Sequence, residues 1–240
     1  MTILLYQEDS YLREFDALVI EVNEGRVILD KTAFHPRPSG GLGADTGVLV
    51  GSDGASYRVI DTLFDEEKRV LHVVDKPGLK PGDRVHGVID WERRYKMMKL
   101  HTASHVLAAV LYKRYGALVT GGHIEPDIAK DDFDLSMIQD WKSAFREAVE
   151  ETNRILSECH QVKVYWLPRE EALKIPGLVK LAGKLPPSVD RLRIVEIPGI
   201  DIQADGGPHV KNTCEVPGIE IVKLESKGRR RRRIYYKLRE

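Results

Sequence analysis

His101 and His105 stand four residues apart in the segment HTASH, and Asp205 and His209 repeat that separation in DGGPH. If residues 93–115 are helical, the first two imidazoles lie one above the other on one face and can point at a common spot. The second pair arrives on a loop whose Gly206 and Gly207 permit a sharp turn. Three imidazoles and a carboxylate form a donor set suited to four-coordinate zinc. Such a metal holding a water would be a hydrolytic centre, whereas one saturated by protein would be structural, and spacing leaves both open. A histidine pair alone is equally well two polar helix positions, and it is the conjunction with DGGPH that points to a metal. Glutamate does not follow His101, so the HExxH arrangement of zincin proteases is absent and peptide hydrolysis fits poorly.

These residues need elements to hold them. Up to about residue 90 the chain reads as short strands and turns: 11–20 and 26–29 about Asn23-Glu24-Gly25, then 47–50, 55–60, 68–74 and 84–90. Many short strands at close spacing predict a small β-barrel over residues 1–90. From Trp91 the pattern changes. Residues 93–115 contain neither proline nor glycine, and Tyr95, Met98, Thr102, His105, Leu107 and Val110 are predicted to line one side of a helix that Gly116 ends. Residues 123–125 and 131–135 read as strands joined through Pro126-Asp127. Ser136 is placed to cap a second helix running to about residue 159, with Gln139 as its capping-box partner. Strands are also predicted at 162–166, 193–197, 218–225 and 233–238. The whole is α+β, an N-terminal small β-barrel followed by a mixed α+β domain over residues 91–240.

Composition narrows the class. With 42% hydrophobic and 31% charged residues the chain is neither disordered nor membrane-embedded, and no apolar run approaches the roughly 20 residues that span a bilayer. The N-terminus lacks the basic region of a signal peptide, so a cytoplasmic location is expected. Cys159 and Cys214 are then expected to stay reduced, Cys159 as a small buried hydrophobe. A formal net charge of +0 excludes a generally basic RNA-coating protein. Cationic charge is nevertheless concentrated in Arg229, Arg230, Arg231, Arg232 and Arg233, ahead of Ile234, Tyr235 and Tyr236. That run suits phosphate contact and base stacking, or equally a solvated basic edge, and strand alternation would send only some of it to any one ligand. Arg93, Arg94, Lys96 and Lys99 can add to the same field. The remaining histidines are expected to be structural, with His123 the one placed near the same cleft.

HTASH, DGGPHVKNTCEV and SKGRRRRRIYY, in that order, resemble the HxxxH, CGGTHV-x-x-T-x-E and S-x-G-x-x-x-R-R-I pattern of alanyl-tRNA synthetase editing domains. FHPRPSGGLGADTG is similar to the glycine-rich segment that precedes them, and GDRVHGVIDWERR to the junction between barrel and editing domain. The likeness covers almost the whole chain without an aminoacylation domain, as in the free-standing AlaX-type alanyl-tRNA editing proteins of the longer form. That resemblance implies a zinc-dependent trans-editing hydrolase acting on tRNA(Ala) mischarged with serine, and in some cases glycine. It makes His101, His105 and His209 zinc ligands. Asp205 occupies the family's cysteine position and Pro208 its threonine, so the fourth ligand becomes a harder oxygen donor; Gln203 is a weaker candidate for that place. Thr102 can offer its hydroxyl to the serine side chain, a contact alanine cannot make, or can simply pack and bond back into the helix. Gly40, Gly41 and Gly43 either contribute to amino-acid discrimination or form a surface turn, and Pro38-Ser39 interrupts the expected glycine run. An RNA-binding module with a structural zinc, or another metal-dependent small-ester hydrolase, are the competing functions. Neither a membrane nor an obligate protein partner is called for.

Overall fold

The computed structural model describes residues 2–178 and 189–240. The chain divides into two compact units, Met1–Met97 and Met98–Glu240. In the first, β1 (Ile3–Leu4) leads into the single-turn α1 (Leu5–Glu8). A closed antiparallel barrel follows, built from β2 (Glu14–Asn23), β3 (Arg26–Leu29), β5 (Gly47–Gly51), β6 (Ser56–Phe64), β7 (Val70–Val74) and β8 (Arg84–Ile89), in the order β2-β3-β7-β6-β5-β8. The short β4 (Lys31–Thr32) pairs in parallel with β1 outside that ring.

Period-two alternation explains the barrel interior. Phe15, Ala17 and Val19 of β2 point inward between exposed neighbours, and Tyr57 and Val59 of β6 do the same. Bulges between Val19 and Glu21 and between Val59 and Asp61 supply local bending that closure requires. Gly87 makes room for the Phe15 ring, since a Cβ there would lie 2.4 Å from its Cε1. The barrel predicted from strand spacing is therefore present, and its closure comes from β2 pairing with β8.

The glycine-rich segment is closed at its base by Asp45. This carboxylate is fully buried, accepts the His35 N–H at 2.5 Å, and is paired with the equally buried Arg94 guanidinium. Arg94 also donates to the carbonyls of Ala33 (2.6 Å) and Ser10 (3.2 Å). Two ions without exposure require such complete pairing. Arg94 is thus an anchor within the barrel unit rather than part of an RNA-facing field.

Arg94 lies on α2 (Trp91–Tyr115), and the boundary between the two units falls within this helix. Gly116, at φ 63°, ends it as predicted. The expectation of one apolar side was too narrow: every residue from Leu100 to Leu111 except Ser104 is buried. A stretch buried around its circumference belongs in an interior, and its polar members His101, Thr102 and His105 must find partners there.

The described residues of the second unit form two sheets. One has the order β14-β15-β10-β9, from β9 (Val119–Glu125), β10 (Ile128–Asp134), β14 (Ile219–Ser226) and β15 (Arg231–Leu238). The other joins β11 (Lys163–Pro168), β12 (Arg191–Ile197) and β13 (Asp201–Ala204), and the short α4 (Arg169–Ala172) follows β11. Helix α3 (Trp141–Ser157) buries Ala144, Phe145, Ala148, Val149, Thr152, Ile155 and Leu156 along one stripe. Its N-cap is Asp140, which accepts the Ser143 N–H at 3.1 Å, and not Ser136. Ser136 instead donates to Asp134 in the turn leaving β10, which delays the helix start. No helix among the described residues is long and apolar enough to cross a membrane.

The cysteine expectation is corrected. Cys159 and Cys214 form a disulfide with Cα atoms 4.5 Å apart, and both residues are exposed. Cys159 adopts φ 59°, turning the chain off the end of α3 so that residues 160–162 run beside 211–213. Val162 N–H donates to Lys211 at 2.8 Å and Thr213 N–H to His160 at 2.9 Å.

Candidate metal centre

Two elements deliver the four donors. Helix α2 carries His101 and His105 one turn apart, and Asp205 and His209 lie on the loop that leaves β13. In the structure β12 first turns back into β13, pairing Ile197 with Asp201 and Ile194 with Ala204, and the loop starts where β13 ends.

One donor atom from each of His101, His105, Asp205 and His209 lies within 4.8 Å of the others. Asp205 Oδ2 is 3.3 Å from His209 Nε2, and Asp205 Oδ1 is 3.7 Å from His101 Nε2. Tetrahedral zinc with bonds of about 2.1 Å separates its ligand atoms by about 3.4 Å, so these donors need only small side-chain adjustments to enclose one. The rings form a cluster, with His101 stacked on His209 at 4.0 Å and His105 edge-on to both.

The far side of each ring is held. His105 Nδ1–H donates to Asp201 Oδ2 at 2.9 Å, and His101 Nδ1–H to the Pro208 carbonyl at 3.2 Å. His209 Nδ1 is bonded to Thr102 Oγ1 at 3.0 Å, and that oxygen also receives the Val210 N–H at 3.4 Å. In His101 and His105 an acceptor on Nδ1 fixes the tautomer that leaves Nε2 with its lone pair for a cation. On Asp205, Oδ2 accepts the Gly207 N–H at 2.7 Å.

Electrostatics puts the donors in their ligating states. Burial, reinforced by the neighbouring imidazoles, holds His101 well below its usual pKa, and the same causes bring His209 to about 4. Burial opposes the ionised form of Asp205, but His101, His209 and His105 outweigh it and keep the carboxyl well below the ordinary range. Neutral imidazoles around an ionised carboxylate are what a divalent cation requires. The donor set therefore fits a zinc-sized ion.

Other candidate residues fall into place around this cluster or away from it. Thr102 is fully buried beside the cluster, and its hydroxyl oxygen is bonded to His209 Nδ1 and to the Val210 N–H. Gln203 donates to Asp201 at 3.0 Å and so braces the partner of His105. His123 belongs elsewhere, bonded to Glu125 on β9 at 3.1 Å. Sequence reasoning missed Asp201 and Arg193. Both are buried acidic or basic residues at the edge of the ligand loop, and a charge within the apolar run LRIV was the available signal for Arg193.

The arginine run is divided by its hairpin. Arg233 makes a two-pronged pair with Asp132 at 2.6 and 2.8 Å, and Arg232 donates to Ser226 and to the Gly228 carbonyl while lying over the Trp141 ring. Arg231 is 3.8 Å from Asp132. Arg229 and Arg230 are exposed at the turn between β14 and β15. In the barrel unit, Gly40 and Gly41 take φ 56° and 77°, and Leu42 N–H donates to Ser39 at 3.0 Å, a two-residue turn that needs left-handed conformations at both positions. Gly43 follows it directly.

Comparison with known proteins adds a second line of argument. Residues 192–235 match the family described as the threonyl and alanyl tRNA synthetase second additional domain, a stretch containing Arg193, Asp205, His209 and the arginine run. Residues 6–93 match the class II (A) tRNA synthetases. The chain is 52% identical over 237 residues to the alanyl-tRNA editing protein AlaX-M of Saccharolobus solfataricus, covering 98% of each. It is 43% identical over 246 residues to AlaX-M of Methanosarcina acetivorans, covering 99% of each. The alanine–tRNA ligase of Ignicoccus hospitalis is 39% identical over 219 residues, which are 91% of this chain and 24% of the ligase.

Proposed function

The chain belongs to the AlaX-M family of alanyl-tRNA editing proteins, and from that premise we propose that it deacylates mischarged tRNA(Ala) in trans at the cluster of His101, His105, Asp205 and His209. The activity is that of an aminoacyl-tRNA deacylase, a carboxylic ester hydrolase. The observation that carries the site assignment is the convergence of four donors within 4.8 Å from a helix and a loop about a hundred residues apart. We assign these four as zinc ligands.

Bound zinc would supply electrophilic polarisation to an ester that is already activated. The chain's own residues prepare for this. Asp201, Thr102 and the Pro208 carbonyl hold the three Nδ1 atoms, so the rings present Nε2 without searching rotamers. Gly207 N–H holds one oxygen of Asp205 and limits rotation of its carboxylate.

Serine is the proposed principal misacylated residue and glycine the second, a reading supported by the editing-domain motifs. Gly40, Gly41 and Gly43 are proposed contributors to discrimination on the same motif basis. Phosphate contact is proposed for Arg229 and Arg230, whose exposure supports it, with Arg231 partly engaged by Asp132.

The test is to incubate purified, zinc-loaded protein with tRNA(Ala) charged with serine, glycine or alanine and to follow ester loss. Rapid loss of the seryl ester with the alanyl ester spared is expected. Persistence of all three esters, with zinc bound and tRNA still retained, would overturn deacylation in favour of an RNA-binding module with structural zinc. Asp205→Ala should lower zinc stoichiometry, and unchanged stoichiometry would remove Asp205 from the ligand set.

A further inference from the structure

The ligand loop has little of its own to fix its shape. Asp205-Gly206-Gly207-Pro208 places two glycines between the donors Asp205 and His209, and glycine carries the greatest backbone freedom. Apart from the Gly207 N–H that Asp205 Oδ2 accepts, a loop of this composition takes its conformation from groups outside it.

One side chain supplies much of that constraint. Arg193, on β12, is 4% exposed. Its Nη1 donates to the carbonyls of Asp205 at 3.0 Å and Gly207 at 2.9 Å, two residues apart on the loop. The Arg193 carbonyl also accepts the Asp205 N–H at 3.1 Å. The same Nη1 lies 3.9 Å from Asp205 Oδ2, the oxygen that accepts the Gly207 N–H. The backbone amide and the guanidinium thus both address Oδ2, and Oδ1 faces His101 Nε2.

We propose that Arg193 is a positioning residue of the metal centre, a rigid template on which residues 205–207 fold so that Asp205 and His209 converge with the helix histidines. This rests on reading the cluster as a zinc site. The requirement is geometric as well as electrostatic. A planar guanidinium is held flat by its own conjugation and offers donors in fixed directions, whereas a lysine ammonium is a point charge on a flexible stem. Lysine at this position keeps the charge and loses the template. Arg193 touches no substrate atom in this account and acts only through the ligands.

The experiment compares the full-length wild type with Arg193→Lys and Arg193→Gln. Each protein is stripped with chelator and titrated with zinc against a competing chromophoric chelator, and its melting temperature is measured with and without zinc. Loss of a group that orients metal ligands weakens binding by about 10–100-fold, and that fall is expected for both variants. The rise in melting temperature caused by zinc should shrink with it. A purely structural arginine would instead lower both melting temperatures together and leave zinc affinity at the wild-type value, which would overturn the proposal. If Arg193→Gln does not fold, Arg193→Lys decides alone, since wild-type affinity in that variant is equally fatal. Failure of the wild type itself to bind zinc is a different result and overturns the metal reading on which the proposal stands.

Discussion

Replacing Asp201 by asparagine should weaken zinc binding by about 10–100-fold, equivalent to roughly 1.4–2.8 kcal/mol. Asp201 is 5% exposed, lies four residues before Asp205, and accepts the His105 Nδ1–H at 2.9 Å while taking a second hydrogen bond from Gln203 at 3.0 Å. The substitution is nearly isosteric, so packing is preserved and the charge is removed. A hydrogen bond to a buried charge contributes about 1.5–3 kcal/mol against about 0.5–1.5 for a neutral one, so about 1–1.5 kcal/mol of orientation is lost directly. The amide can also turn its NH2 toward Nδ1. That would move the imidazole proton to Nε2, the atom that must carry the lone pair, and it supplies the remainder. The assay is chelator competition, followed by seryl-tRNA(Ala) deacylation at limiting and at saturating zinc. Activity should fall at limiting zinc and recover substantially at saturation, because Asp201 acts on the ligand and not on the ester. A folded Asp201→Asn protein with wild-type zinc affinity would refute the claim that this carboxylate orients His105.

Three further outcomes follow from other parts of the molecule. The Cys159–Cys214 bond spans 55 residues, for which the loop-closure model gives about 4 kcal/mol; denaturant unfolding with and without reductant should differ by up to that amount, and coincident curves would deny the bond a role in stability. Replacing both Arg229 and Arg230 by alanine should weaken tRNA binding and reduce the slope of log affinity against log salt by up to about 1.8, whereas Arg233→Ala should mainly lower stability, by about 1–3 kcal/mol, because it takes both hydrogen bonds from the buried Asp132 and leaves only Arg231 at 3.8 Å. His72 is buried in the barrel with Val27 and Thr32 bonded to its two nitrogens, and burial lowers its pKa from 6.5 to about 4. Only the unfolded chain protonates between those values, so stability is full above about pH 6.5 and falls toward pH 4, by up to about 3 kcal/mol for this group; chelator-treated His72→Gln should show a correspondingly flatter profile than wild type, and equal slopes would exclude His72 as a source.

What could be read from the sequence was whatever lies within one turn or one strand. The strands expected at residues 11–20 and 55–60, which the fold sets at 14–23 and 56–64, the helix ending at Gly116 and the four-residue spacing of each donor pair are local, and all have counterparts in the fold. Pairings over long separations carried no such mark. Barrel closure depends on β2 meeting β8, and the disulfide on a left-handed residue at Cys159 that sends the chain back beside residues 211–213. Asp201 and Arg193 have meaning only once β12 and β13 form a hairpin, which sets Arg193 beside Asp205 and Asp201 beside Gln203 and His105. The arginine run shows the same limit from the other side: as letters its five cations are alike, but strand pairing commits Arg233 to Asp132 and leaves Arg229 and Arg230 at the turn.

In the proposed zinc site Asp205 stands where the editing-domain motif that the sequence resembles has cysteine, and the exchange changes both reach and charge. Zinc–sulfur bonds are about 2.3 Å and zinc–oxygen bonds about 2.0–2.2 Å, so the extra bond from Cβ to a carboxylate oxygen adds more reach than the shorter contact removes, and the loop backbone stands farther from the ion than a cysteine would hold it. A thiol must also lose a proton near neutral pH before it ligates, but Asp205 is already ionised, held so by the imidazoles against the cost of its burial. Its charge is steadied from behind by Gly207 N–H and Arg193. What the exchange alters is softness: three nitrogens and one oxygen discriminate less strongly for zinc over harder divalent ions than a thiolate site does. On the proposed zinc site the discrimination lost with sulfur has to come from geometry, and the side chains placed to supply it are Asp201, Thr102 and Arg193, bonded to His105, His209 and the Asp205 carbonyl.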